Sequence, residues 1–384
     1  MTGQPISPKD SRTRLLLLFP GPLHNLQEYF SDRLTRLSED FRGSVVVMGE
    51  QAGRAPVGAF DVTMLQVRGG SWVRDFFRYV RTALRASVDA ERRNDPFDAV
   101  ITYDPLKTGL AGLVVTNRRR IPLIVEVNGD YANPAVYSDI ANPLARAFKR
   151  RGFVLLERQV LRRASGIKLL FPGQLDHIAS LRQRTVVRTF PNYVDLSFFR
   201  DLGETKEVLF VGHPFYLKGV DLLIEAFKRV CSGFPEWKLK ILGWFPDPSE
   251  LNRAVDGHPR IEIHPPVARA EVATHIGRCG IFVLPSRTEA MGRVLLEAMA
   301  CGKPRIGANV GGIPTVIEDG VDGLLFRSGD IDQLAQRLSE LMADPGLRRR
   351  LGKQGATRAR DEFTPQSYFE LIREFYGAVL QTTQ

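Results

Sequence analysis

Glu289 and Glu297 stand eight positions apart in SRTEAMGRVLLEAMACGKPRI, residues 286–306. The second carboxylate lies between Val294-Leu295-Leu296 and Ala298-Met299-Ala300, a setting that suits a buried helix. A buried carboxylate is costly unless it is paired or neutralised, so it calls for a partner. The stretch reads as a strand at 281–284, a loop at 285–291 and a helix at 292–300 stopped by Gly302 and Pro304. Glu289 then follows the carboxyl end of a strand. The backbone N–H groups of Met291, Gly292 and Arg293 open the helix as unsatisfied donors suited to an anion. Gly292 lets a ligand approach the backbone closely. A surface ion pair between Arg293 and Glu297, four apart, is the competing reading, against which the apolar flanks count.

Three more segments place polar groups after predicted strands. In VGHPFYLKG, residues 211–219, Gly212 opens a loop and Lys218 stands at a helix entrance, where an ammonium binds phosphate as a point charge. His213 adds a hydrogen bond or a second charge, and a merely solvated loop lysine is the plainer alternative. In EVNGDY, residues 126–131, Asn128 and Asp130 follow another strand, as a polar edge of a cleft or as a plain turn. Gly311-Gly312 reads as an ordinary turn. Other chemistries lack their signatures. There is no Gly-x-x-x-x-Gly-Lys-Ser/Thr loop and no Gly-x-Ser-x-Gly elbow. Asp330-Ile331-Asp332 starts a predicted helix, which capping explains.

The elements that must hold these residues follow one style. In the first half, short apolar runs at 13–19, 44–48, 62–67, 99–102, 122–127, 166–171 and 186–190 read as strands. Helical stretches fit 23–38, 73–93, 143–163 and 174–181. The second half has strands at 208–211, 238–242, 260–264, 281–284, 304–307 and 323–326. Its helices fit 220–230, 271–276, 292–300, 332–342, 346–362 and 365–379. Continuous apolar strands alternating with helices imply parallel sheets covered on both faces. Two such series imply an α/β chain of two doubly wound, Rossmann-like lobes facing across a cleft. The expected division is 1–193, 194–364 and a last helix, 365–384, packing back on the first lobe.

No apolar run approaches the length of a membrane span, and Leu15–Phe19 reads as a buried strand rather than a signal core. Three unpaired cysteines argue against a disulfide framework or zinc site and point to the cytoplasm. Residues 1–200 hold 30 Lys and Arg against 19 Asp and Glu, whereas residues 201–384 hold 23 against 24. The basic half therefore either meets something anionic or is a solvated surface. Residues 143–163 join seven Lys/Arg to Leu, Phe and Val, a pattern suited to an anionic membrane or to a half-buried helix. Nucleic acid is not expected, because no recognised module accompanies the charge.

Taken in order, VGHPFYLKGVDLLIEAF, KLKILG, IFVLPSRTEAMGRVLLEAMACGKPRI and GGIPTVIEDGVDGLLF resemble the donor lobe of family-4 retaining glycosyltransferases of the GT-B type. PNYVDLSFF resembles that family's interlobe junction and ERQVLRRASGI its last first-lobe segment. The resemblance covers most of residues 97–375. It implies a nucleotide-diphosphate sugar on the second lobe, a saccharide or lipid-linked acceptor on the first, and no metal or other cofactor. Glu289 would contact the donor sugar, Glu297 the ribose, and Lys218 the diphosphate. Asp130 and Asn128 complete the expected catalytic set. Gly21, Gly212, His213, Met291, Gly292, Arg293, Pro265 and Val267 are the other expected substrate-binding positions. A cytoplasmic enzyme, or one peripheral on the inner membrane face, follows.

Several positions depart from the family pattern. His213 stands for a frequent arginine, Asn128 for a histidine, Thr315 for a glutamate, Phe171 for a serine and Pro265 for a glycine. Gly21 stands alone where a glycine pair is common. A nucleotide-sugar 2-epimerase and an inactive sugar-nucleotide sensor or partner subunit are the alternatives.

Overall fold

The computed structural model describes residues 11–21, 26–67, 71–178, 180–245 and 248–383, with backbone alone for 26–31. The first sheet holds β1 (Thr13–Leu18), β2 (Phe41–Gly49), β3 (Gly53–Val57), β4 (Phe60–Gln66), β5 (Ala99–Thr102), β6 (Leu123–Glu126), β7 (Gly166–Leu169) and β8 (Val186–Thr189). Their spatial order is β3-β4-β2-β1-β5-β6-β7-β8. The second sheet holds β9 (Glu207–Val211), β10 (Lys238–Leu242), β11 (Ile261–His264), β12 (Ile281–Leu284), β13 (Arg305–Ala308) and β14 (Leu324–Phe326), in the order β11-β10-β9-β12-β13-β14. All pairings are parallel except β3 with β4. Strand order reverses beside β1 in the first sheet and between β9 and β12 in the second, where doubly wound sheets open a crevice for ligands.

Helices α1 (Leu26–Leu37), α2 (Trp72–Arg92), α3 (Lys107–Arg119) and α4 (Pro143–Leu161) belong to the first sheet. Residues α5 (Val220–Val230), α6 (Ser249–Val255), α7 (Arg269–Arg278), α8 (Arg293–Ala300), α9 (Ile313–Val316), α10 (Ile331–Ala343) and α11 (Pro345–Glu362) surround the second. The last, α12 (Pro365–Thr383), returns to β7 and β8 of the first.

Alternation along β1 divides the first core. Leu15 and Leu17 face α1 and α12, whose Tyr368, Phe369, Ile372, Phe375, Tyr376 and Val379 complete that layer. Leu16 and Leu18 face α2, α3 and α4. Among the described residues, no helix is long and apolar enough to cross a membrane.

The expected α/β architecture of two parallel-sheet lobes is present. Four local readings need correction. Of the helix expected at 174–181, residues 174–177 form turns instead and residue 179 lies outside the described ones; the buried Gln174 amide accepts from Leu170 N–H and donates to the Val127 and Gly129 carbonyls, standing in for backbone bonds. The edge strand β3 was not foreseen, since its polar alternation and Pro56 read as loop. Helix α3 was not foreseen either, being rich in glycine and β-branched residues. It is wedged between neighbours, where a Cβ at Gly112 would crowd Thr102 and Leu123. Helices α6 and α9 are too short to show a period. Of the helix expected at 23–38, residues 23–25 lie outside the described ones.

Candidate active site

The second sheet's reversal point gathers residues far apart in sequence. Lys218 ends the loop after β9 and Glu289 lies in the loop after β12, and the two meet: Lys218 Nζ donates to Glu289 Oε2 at 2.5 Å. Backbone fit fixes both loops. Gly219 has a positive φ of 67°, and a Cβ there would run into the Pro285 carbonyl. Gly311, at φ 55°, leaves no room between its Cα and the Glu289 carbonyl. Gly312 N–H donates to that same oxygen at 3.0 Å. The Gly-Gly pair that reads as an ordinary turn is thus the buttress of the Glu289 loop. Arg287 adds a fork-to-fork pair with Asp221, at 2.7 and 2.6 Å, that ties the loop to α5.

Helix α8 begins one turn further on. Gly292 caps it in the left-handed conformation. The N–H groups of Gly292, Arg293 and Val294 find no acceptor among the described residues. Glu297 is 8% exposed, and its carboxylate makes no hydrogen bond or ion pair among them. Burial raises its pKa, and the more distant charges of Arg293 and Arg269 offset this only in part. The competing Arg293–Glu297 contact does not form, so the carboxylate stands unpaired at the cleft side of a buried helix.

The remaining donor-side positions line the same carboxyl edge. Pro265 and Val267 follow β11, the outer strand. Gly212 and His213 follow β9, and the exposed His213 ring packs edge-on against Trp244 at 5.9 Å. Met291 is buried and reaches the lobe junction, where its Sδ accepts from the Asn192 N–H at 3.1 Å.

In the first lobe, Gly21 follows β1 with a φ of 56° and its Cα against the Met48 carbonyl, so it shapes the chain's exit from the strand. Asn128 and Asp130 part company. Asn128 Nδ2 donates to the Tyr103 carbonyl at 2.8 Å, and its Oδ1 accepts from Asn192 Nδ2 at 2.7 Å. Asp130 is turned into a local loop, accepting from Asn133 Nδ2 at 3.2 Å. The expected catalytic group therefore does not assemble as one cluster. Lys218 and Glu289 meet, Asn128 is tied into the lobe junction, and Asp130 contacts none of them among the described residues.

Residues 30–192 match the family described as "Glycosyl transferase 4-like domain" and residues 198–358 match "Glycosyl transferases group 1". The chain belongs to the family-4 glycosyltransferases of the GT-B type. An uncharacterized glycosyltransferase of Methanocaldococcus jannaschii is 28% identical over 268 residues, 68% of this chain and 70% of that protein. A D-inositol 3-phosphate glycosyltransferase of Kribbella flavida is 28% identical over 327 residues, 77% of this chain and 75% of that one. Among solved structures, sucrose-phosphate synthase from Thermosynechococcus elongatus superposes with a TM-score of 0.76 at 19% identity, covering 96% of this chain and 100% of that one. Anabaena HepE in complex with UDP-glucose gives 0.71 at 18% identity, with 96% and 100% covered.

The sequence of this glycosyltransferase did not reveal Asn192, which bonds Asn128 and Met291, or Trp244, which packs on His213. Asn192 lies in a segment read only as a junction. Trp244 carried the one usable signal, a large aromatic directly after a strand.

Proposed function

We propose that this glycosyltransferase moves a sugar from a nucleotide-diphosphate sugar to an acceptor hydroxyl with retention of anomeric configuration. The donor takes residues 194–364 and the acceptor residues 1–193. The observation that carries the reading is the Lys218–Glu289 pair beside the unpartnered amides of α8 and the unpaired Glu297. The bond from the sugar's anomeric carbon to the diphosphate breaks, and its electron pair stays on the phosphate oxygen. Lys218 and the α8 amides meet that growing charge in preorganised positions. Glu289, held by Lys218, binds sugar hydroxyls rather than attacking carbon. The acceptor oxygen enters on the face that the phosphate leaves, and its proton passes to the departing phosphate oxygen. Glu297 takes the ribose diol as the partner it lacks in the free protein.

HepE, solved with UDP-glucose, supports a nucleotide-sugar donor. The inositol-phosphate relatives support a polyol or saccharide acceptor. The test is proton NMR of the products from UDP-, GDP-, ADP- and dTDP-sugars with candidate acceptors. Retention predicts the same anomeric coupling in product and donor. An inverted coupling refutes the mechanism, and donor converted to its 2-epimer without acceptor favours the epimerase. Binding without turnover favours the sensor.

The acceptor lobe also carries a surface suited to a lipid-linked acceptor. The first half of α4 stands clear of the body, with Leu144 83% and Phe148 82% exposed one turn apart, and Lys149, Arg150 and Arg151 exposed beside them. Helix α2 lies on the same sheet face, and its start presents Trp72, 78% exposed, and Phe77 with Arg74. Both helices begin at the carboxyl edge of the sheet, at the cleft end. We propose that these faces rest on the anionic inner leaflet of the cytoplasmic membrane, aromatic rings in the interface and cations at the headgroups. Phosphatidylglycerol–phosphatidylcholine vesicles should pull down the protein at low salt and release it at high salt, and Phe148→Glu with Trp72→Glu should abolish the interaction. No binding at low salt sinks the proposal.

A further inference from the structure

Lys168 lies at the carboxyl end of β7, in register with Glu126 of β6, and the two are 1% and 0% exposed. Glu126 Oε1 accepts from Tyr376 Oη at 3.0 Å and Arg33 Nη2 at 3.4 Å, while Oε2 is buried with no partner among the described residues. Arg33 also donates to the hydroxyls of Tyr103 and Tyr368, at 3.0 and 2.9 Å. Lys168 turns the other way. Its ammonium lies over the Phe190 ring and donates to Asn192 Oδ1 at 2.6 Å. Asn192 in turn donates to Asn128 on the acceptor side and to Met291 on the donor side.

An ammonium only donates, so it dictates which way the Asn192 amide faces. The oxygen must point at Lys168, which leaves the NH₂ for Asn128. With that amide released, Asn128 loses its donor and the Met291 contact loses the segment that makes it. We propose that Lys168 is a positioning residue for glycosyl transfer: through Asn192 it locks the lobe junction, setting Asn128 against the loop that carries Glu289 and Met291. Lys168 is buried and reaches the cleft only through Asn192. A buried ammonium costs the fold stability that a methionine of similar size would not, so packing alone does not call for this charge.

The lock has a pH response. The charged groups acting on Lys168 are Glu126 from β6 and Arg33 from α1, and Tyr103 after β5 with Tyr368 and Tyr376 from α12 hold that pair in turn. Burial holds Tyr103 and Tyr376 well above the usual phenol range. Burial opposes the Arg33 charge, yet Tyr103, Tyr368 and Glu126 outweigh it and keep the guanidinium protonated. Burial pulls Lys168 down to about 8 against the attraction of Glu126 and with the repulsion of Arg33. The folded pKa is below the unfolded one. The cost of burying this charge is therefore present below pH 8 and relieved as pH rises from about 8 toward 10.5. The lock responds in the opposite sense, because a neutral amine is a weaker donor to Asn192 Oδ1 than an ammonium and no longer only donates, so stability and junction order diverge as pH rises through about 8.

Hydrogen–deuterium exchange of the full chain without ligand separates these effects and does not depend on the donor reading. Lys168→Met at pH 7 should speed exchange about 10-fold in segments 192–194 and 289–293, leave β5 and β12 unchanged, and not lower Tm. Wild type taken from pH 7 to 9, corrected for intrinsic rates, should loosen the same segments, and the variant should not respond. Asn192→Ala should act alike, with no further effect from Lys168→Met in that background. Once a donor is in hand, kcat should follow the same pH curve at constant donor KM. Wild-type protection in the variant, loosening spread over the core strands, or additive effects would overturn the proposal. Asn192→Ala, which removes the same link from its other end, decides it even if the Lys168 variant does not fold.

Discussion

Lys218→Ala should lower kcat by about 10²–10³-fold, roughly 2.7–4 kcal/mol of barrier, by analogy with a lost oxyanion donor. Two losses combine. In the proposed mechanism the departing diphosphate loses a cation that meets its growing charge, and Glu289 loses the ammonium that holds it. The first effect grows along the reaction, so kcat should fall more than donor KM rises. Lys218→Arg should recover only part of the rate. A planar fork does not reproduce a compact ammonium in a loop seated on Pro285. Steady-state kinetics with a melting curve provide the check. A kcat within twofold of wild type would remove Lys218 from the mechanism.

Glu297→Ala should weaken nucleotide binding about 100-fold while making the free protein more stable. The binding loss reflects two hydrogen bonds to a charged group, about 1.5–3 kcal/mol each before compensation by water. The stability gain follows from burial. Desolvation raises the Glu297 pKa above its unfolded value near 4.5, with Arg293 and Arg269 too weak to reverse it. A carboxyl with a raised folded pKa favours the fold below the unfolded pKa, and that contribution is lost as pH rises through the folded value. The variant's advantage should therefore be small at pH 4 and largest at neutral pH. Calorimetry with UDP, GDP, ADP and dTDP measures the first effect, and thermal melts across pH the second. Unchanged affinity for every nucleotide that wild type binds would leave Glu297 without the ribose role.

Patterns confined to one element were legible in the sequence. The strands of the second sheet could be read because each is a short apolar run between turn residues, and Glu297 stood out because its helix is otherwise apolar. Contacts between elements were not legible. Lys218 and Glu289 are 71 residues apart, and only the reversal of strand order between β9 and β12 brings them together. Lys168 reads as an intruder in an apolar strand until register sets it opposite Glu126. Gly109 and Gly112 hid α3, because they answer to Val160, Thr102 and Leu123 rather than to helix propensity. Asp130 parts from Asn128 for the converse reason. Its neighbour in sequence, Asn128, faces the junction, whereas Asp130 turns back onto Asn133.

Helix α12 has a consequence for how the chain comes off the ribosome. One face of the first sheet is covered by side chains from residues 368–379, which are made only after the entire second lobe. At about 5–20 residues per second, the gap between β8 and the end of α12 is a wait of roughly 10–40 s. During that interval Ile101, Ile124 and Phe190 lack their cover, and the nascent lobe presents a sticky sheet face to the cell. The second lobe can fold in that time on its own neighbours, so the lobe translated first should be the lobe completed last.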